Sequence, residues 1–454
     1  MRPVALLLAL GACLLAQGRG SHSDHRRESQ PFFVRHQLSS DFYAEGVAVG
    51  DINRDGKMDI VAGPYWYAGP DFQKRFAIYP PVAFDPLKYS NNQLTFVYDF
   101  NHDGWPDVLV INFPGLDASW FENPGDVTTL WTRHQVIDQV GNESPAFVDI
   151  NGDGVPELVY IAADGRLGWA GPDPADPTQP WIFHPISPYV NYGILTHGLG
   201  VGDINGDGRP DILEANGWWE QPASLVGDPV WKFHPVPFGP GAQLYAVDLD
   251  GDGLKDVVAS VAHSYGLFWF QQVRQDGQIS FCKHVIMGDP NNPNRYGVSF
   301  SELHAVVVTD VDGDAIPDIV TGKRHWAHGP NGDVDPNGPS VLYWFKTVRT
   351  DEGVDFIPYL IDDNSGVGTQ IVVDDVRDLD RDNGAGNLDA QDLGLGPVQP
   401  RRLEPGREGV DVHPGRRRPD VVISNKLGTF FMRRVGNALP HLRPQFPLNT
   451  ACQP

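Results

Sequence analysis

One acidic nonapeptide recurs along the chain, and its spacing limits the fold. Asp or Asn stands at positions 1, 3 and 5, and an acid at position 9. The first copy supplies Asp51, Asn53, Asp55 and Asp59; the second Asp99, Asn101, Asp103 and Asp107; the third Asp149, Asn151, Asp153 and Glu157. The fourth supplies Asp203, Asn205, Asp207 and Asp211; the fifth Asp248, Asp250, Asp252 and Asp256; the sixth Asp310, Asp312, Asp314 and Asp318. A seventh, broken copy starts near Asp375, carries Arg377 at position 3 and resumes at Asp420. The copies begin 48, 50, 54, 45, 62 and 65 residues apart. Such a period implies supersecondary units that bury their apolar faces only by stacking on one another.

Each loop lies between short apolar runs such as Val47-Ala48-Val49 and Ile60-Val61-Ala62. A third run carries an aromatic residue (Trp66, Trp120, Trp169, Trp218, Trp269, Trp344, Phe430). A fourth carries a histidine (His36, His134, His184, His234, His284), which its recurrence marks as architectural. Gly and Pro, 50 and 40 of 454 residues, supply the turns. The expectation is an all-β, seven-bladed β-propeller with four antiparallel strands per blade. Residues 32–38 form a fourth-type strand without a first, and the last unit lacks its fourth. The N-terminal strand is therefore expected to close the ring, leaving no free sheet edge.

The propeller is assigned to residues 32–435, with an insertion at 378–417 whose composition predicts disorder and a tail at 436–454. Residues 1–20 have the charge, short apolar core and small residues of a signal peptide, followed by a leader at 21–31. Secretion, to the outside or the periplasm, ranks first; lipidation at Cys13 is the alternative. Cys282 and Cys452 remain in the mature chain, paired or free. No later stretch is apolar enough for a transmembrane helix. The net charge of −24 excludes a nucleic-acid partner by repulsion.

The loops have the chemistry of a cation site. Ca²⁺ takes six to eight oxygens at about 2.4 Å, and alternate residues of a tight loop aim oxygens inward. Gly at position 6 allows a positive φ; in the sixth loop Ala315 replaces it, at a cost of roughly 1 kcal/mol. The six loops hold 20 of the 58 acidic residues, which would repel without a counter-ion. About six structural Ca²⁺ ions are expected, with Asp333, Asp335 and Asn337 as an extra loop.

These loops and strands resemble the FG-GAP/VCBS-repeat β-propellers, as in integrin α-subunit heads and secreted bacterial proteins. The resemblance implies Ca²⁺ between the first two strands of each blade. A narrower resemblance, carried by Ser301-Glu302-Leu303-His304-Ala305, is to the propeller of aldos-2-ulose dehydratase, a sugar lyase. That enzyme's cupin domains have no room in this chain.

If the acidic loops occupy one face, the opposite face carries the channel mouth. There the inner strands begin with Glu45, Gln93, Glu143, His197, Gln243, His304 and Gln370, and second strands end near His263, Lys323 and His325. His328 and the connection residues Tyr89, Tyr189, Tyr192, Arg295 and Tyr296 share that face. Carboxylates, amides and rings around a concavity suit a carbohydrate or other small polar ligand. A sugar lyase is the second reading, with His197 or His304 as proton acceptor and Lys323 as electrophile. A divalent metal held by the mouth histidines and Glu143 is a further candidate cofactor. A protein-adhesion module is the third reading. Serine-hydrolase, phosphate-loop and zinc-protease motifs are absent from the sequence.

Overall fold

The computed structural model describes residues 33–189, 192–376, 419–435 and 442–448. The signal peptide, leader, insertion, Cys13 and Cys452 lie outside the described residues. The strands form seven four-stranded antiparallel sheets, and the described residues contain no helix. Six sheets are built from consecutive strands; the seventh joins the first strand of the chain to the last three. In that seventh blade Phe33–Ser39 pairs with Gly428–Arg434, setting His36 opposite Phe431.

The second strand of each blade is buried on both sides, as in Asp59–Ala62, Asp107–Ile111 and Asp256–Ser260. These strands are near-continuous β-branched and aliphatic runs because both faces meet a neighbouring blade. The cores accordingly lie between blades. Trp66, Val61 and Ile78 of blade 1 pack with Val108, Phe121 and Trp131 of blade 2. Val47, Ile60 and Tyr67 of blade 1 pack with Val422 and Phe431 of blade 7. Outer strands such as Lys232–Pro235 are mostly exposed.

The recurring histidine lies on the third-strand ring. His184 stacks on Trp169 at 4.0 Å, His234 on Trp218 at 4.0 Å and His134 on Trp120 at 4.4 Å. Polar side chains tie blades 2, 4, 5, 6 and 7 each to the one before it. Asn123 donates to the Ile52 carbonyl at 2.9 Å, Gln221 to Ile150 at 2.7 Å, and Gln272 to Ile204 at 3.0 Å. Arg349 and Arg434 do the same toward Leu249 and Val311. Cys282 is disulfide-bonded, and both other cysteines lie outside the described residues. Segment 442–448 docks on blades 5 and 6, where the Gln445 N–H donates to the Arg295 carbonyl at 2.9 Å.

Candidate functional site

The acidic loops share one frame. The position-6 N–H donates to the position-1 carboxylate in all six, from Gly56 to Asp51 at 3.0 Å through Ala315 to Asp310 at 2.8 Å. Position 6 has φ between 84° and 91° at Gly56, Gly104, Gly154, Gly208 and Gly253, and Ala315 is forced to 65°. The position-9 carboxylate is buried and does more than face the loop. Asp107 accepts N–H bonds from Phe100 at 3.0 Å and from Asn123, just past the third strand (Ala118–Glu122), at 2.8 Å. Asp59, Asp211, Asp256 and Asp318 repeat that double clamp. Burial pushes Asp59, Asp211 and Asp256 up to about 7, and Asp107 and Glu157 up to about 8.

The donor sets fit a hard cation. Acidic oxygens converge within 4.8 Å at Asp149/Asp153/Glu157, at Asp248/Asp250/Asp256 and at Asp310/Asp312/Asp318. In the sixth loop a cation is already covalently present: the Lys346 ammonium contacts Asp312 and lies 2.6 Å from Asp314.

At the opposite end the inner strands begin differently from one another. Glu45 is fully buried and pairs with Arg324, which also lies 3.7 Å from Glu143. His197 precedes the inner strand of blade 4 (Leu199–Gly202), and His304 that of blade 6 (Val306–Thr309). His263 follows the second strand of blade 5 (Asp256–Ser260). Their rings meet, with centroids 4.6 Å apart for His197–His263 and for His263–His304. Burial and then His197 hold His263 down at about 4, and burial drives His304 well below the usual imidazole range. Both are neutral imidazoles near pH 7. Above them His328 stacks on His263 at 4.4 Å and bonds Asp333 at 2.8 Å. Tyr89 lies edge-on to His328, and the Lys426 ammonium sits 5.1 Å from the Tyr89 ring centre.

Other residues of the expected ring have their partners elsewhere. Gln370 accepts from Val47 and Thr95 and donates to Thr95, tying blade 7 to blades 1 and 2. Gln243 donates to Thr369 and accepts from Val306, tying blade 5 to blades 6 and 7. Gln93 donates to the Ser90 carbonyl. Lys323 is buried, bonded to Ser301 at 2.9 Å and paired with Glu302 at 3.3 Å. His325 bonds Ser340 at 3.0 Å and stacks on Trp326. Arg295 and Tyr296 hold Asp355 and the docked tail.

The sequence pattern does not assign Arg324 to the cluster, and it does not give the mouth positions of Glu302 and Asp333. Lys323 and His325 are expected at the end of the second strand of blade 6, but that strand ends at Gly322, and beyond it Arg324 turns inward. Three non-glycine residues around this end, Asn142, Glu302 and Trp326, have φ of 76°, 61° and 51°. Such left-handed backbone is costly and gathers at functional sites.

A family model described as an FG-GAP-like repeat matches residues 99–160 and 248–321. The chain thus carries FG-GAP-like repeats on a seven-bladed β-propeller. No curated protein matches it. Among solved structures it is similar to BBS1N, crystallised with ARL6DN, at 10% identity and TM-score 0.45, covering 90% of this chain and 98% of that one. It is also similar to the rhamnogalacturonan lyase YesW, at 13% identity and TM-score 0.40, covering 89% and 73%. The rhamnogalacturonan lyase PL11 of Bacillus licheniformis gives 14% and 0.42, covering 90% and 76%. Similarity of this size assigns no activity. Among the described residues no helix is long and apolar enough to cross a membrane.

Proposed function

We propose that the chain is an exported, calcium-stabilised propeller that binds a carbohydrate at the channel mouth opposite its acidic loops. The observation that carries this is the convergence of His197, His263, Glu143 and Arg324 beneath a rim of Tyr89 and His328. Hydroxyl groups need donors and acceptors together, and sugar faces pack on rings; the mouth offers both. Saturation-transfer NMR on the calcium-loaded protein with ketosugars, anhydrosugars and short oligosaccharides tests it. Transfer to intact sugar is the expected result, and silence across the panel would overturn the reading.

The second reading, a carbon–oxygen lyase, is favoured by one observation: neutral histidines stand beside a fixed cation. A histidine would take the proton α to a carbonyl, the enolate would form beside Arg324, and as it collapses to the C=C bond the β C–O bond would break, the imidazolium returning its proton to the leaving oxygen. Arg324 takes the role expected of Lys323, whose ammonium is closed off by Glu302. New product resonances in the same NMR experiment would select this reading.

A further inference from the structure

We propose that the carbohydrate bound at the mouth, on the reading above, carries one negative charge, a carboxylate or a sulfate ester, and that the Lys426 ammonium receives it. The residue just past the second strand is Gly63, Asn112, Ala162, Ala215 and Val261 in blades 1 to 5, and a lysine, Lys323 or Lys426, in blades 6 and 7. Both lysines are buried at the mouth end, and there they differ. Lys323 is paired with Glu302 at 3.3 Å and bonded to Ser301 at 2.9 Å. Lys426 donates to the Trp326 carbonyl at 2.7 Å, stands 5.1 Å from the centre of the Tyr89 ring and has no carboxylate partner among the described residues.

A carbonyl and a ring face anchor an ammonium without neutralising it. The side chain is only 4% exposed, so water does little of that work either. Burial pulls Lys426 below the usual lysine range. The carboxylates that act on it from farther off, Glu45 and Glu302, already hold Arg324 and Lys323, and Asp85 is exposed to solvent. Buried charges are otherwise paired, so the missing partner is an anion that arrives with the ligand.

A lysine is a compact point charge, so a carboxylate and a sulfate ester serve it alike. Tyr89 beside it offers a ring face to the sugar. Glu143 and His197, on blades 3 and 4 across the ring from blade 7, would take hydroxyls at the other end. The whole-chain charge of −24 works the other way. A long-range field of that sign disfavours acidic sugars, so a preference for one must arise at a local cation.

The test compares methyl glucoside, methyl glucuronide and methyl glucoside 6-sulfate on the full-length protein at fixed Ca²⁺, with Kd read from saturation-transfer titrations. Both acids are expected to bind roughly tenfold tighter than the neutral sugar. Lys426→Gln keeps a donor for the Trp326 carbonyl and removes the charge, and should bring the ratio of acid to neutral affinity close to unity. Acids drawn instead to Ca²⁺ in the acidic loops would leave that ratio unchanged in the variant. No preference for the acids in the wild type, or an unchanged ratio in the variant, would overturn the proposal and leave carbohydrate binding standing. Silence from all three sugars would remove both. Should Lys426→Gln not fold, the wild-type ratio decides.

Discussion

Ala315 is the residue where the repeat's backbone demand and its sequence disagree. Its φ of 65° lies where the five preceding loops have glycine. Ala315→Gly is therefore expected to stabilise the protein by about 0.5–1 kcal/mol, read from the denaturation midpoint. Gln370 tests a different point. Its amide satisfies backbone groups of blades 1 and 2, so Gln370→Ala should cost roughly 1–3 kcal/mol and leave sugar binding intact in the folded fraction. Unchanged stability with lost binding would return Gln370 to the ligand site. Glu143 and Gln370 look alike in the sequence, as large polar residues starting an inner strand. Which one turns to a backbone carbonyl and which to the mouth depends on neighbouring blades that a linear pattern does not contain.

At the scale of the element, the loop between the first two strands is a clamp, and its carboxylates are those of the proposed metal cage. The position-9 acid ties it to the third strand, a role hidden in the sequence because a ligand and a clamp need the same carboxylate. Chelation is expected to lower the melting temperature, and Ca²⁺ readdition to restore it. An unchanged melting temperature would mean that the loops hold without metal. Lys346 sets the count. Its ammonium supplies positive charge to Asp312 and Asp314, so titration should find about five tight Ca²⁺ sites rather than six. Lys346→Met should then raise the count by one, and a wild-type count of six would contradict this account of the sixth loop.

For the whole molecule, ring closure was legible because the chain begins with a fourth-type strand and ends lacking one. The pairing of Phe33–Ser39 with Gly428–Arg434 follows. Deleting residues 33–39 should expose the edge of blade 7 and abolish cooperative unfolding, seen as a broadened thermal transition. The mouth was only half legible. Histidines at strand starts stood out against a repeating background, but Arg324 and Asp333 belong to a connection, residues 323–340, that other blades do not repeat, and Glu302 sits in the segment before the inner strand of blade 6. Without a repeat to align, nothing in the sequence set their direction. The central claim is that this unrepeated cluster binds sugar. It is tested most directly by saturation-transfer NMR on the wild type and on Glu143→Gln side by side. The account predicts transfer to an intact or reacting sugar in the wild type and its loss in the variant. Equal transfer in both, or none in either, would contradict it.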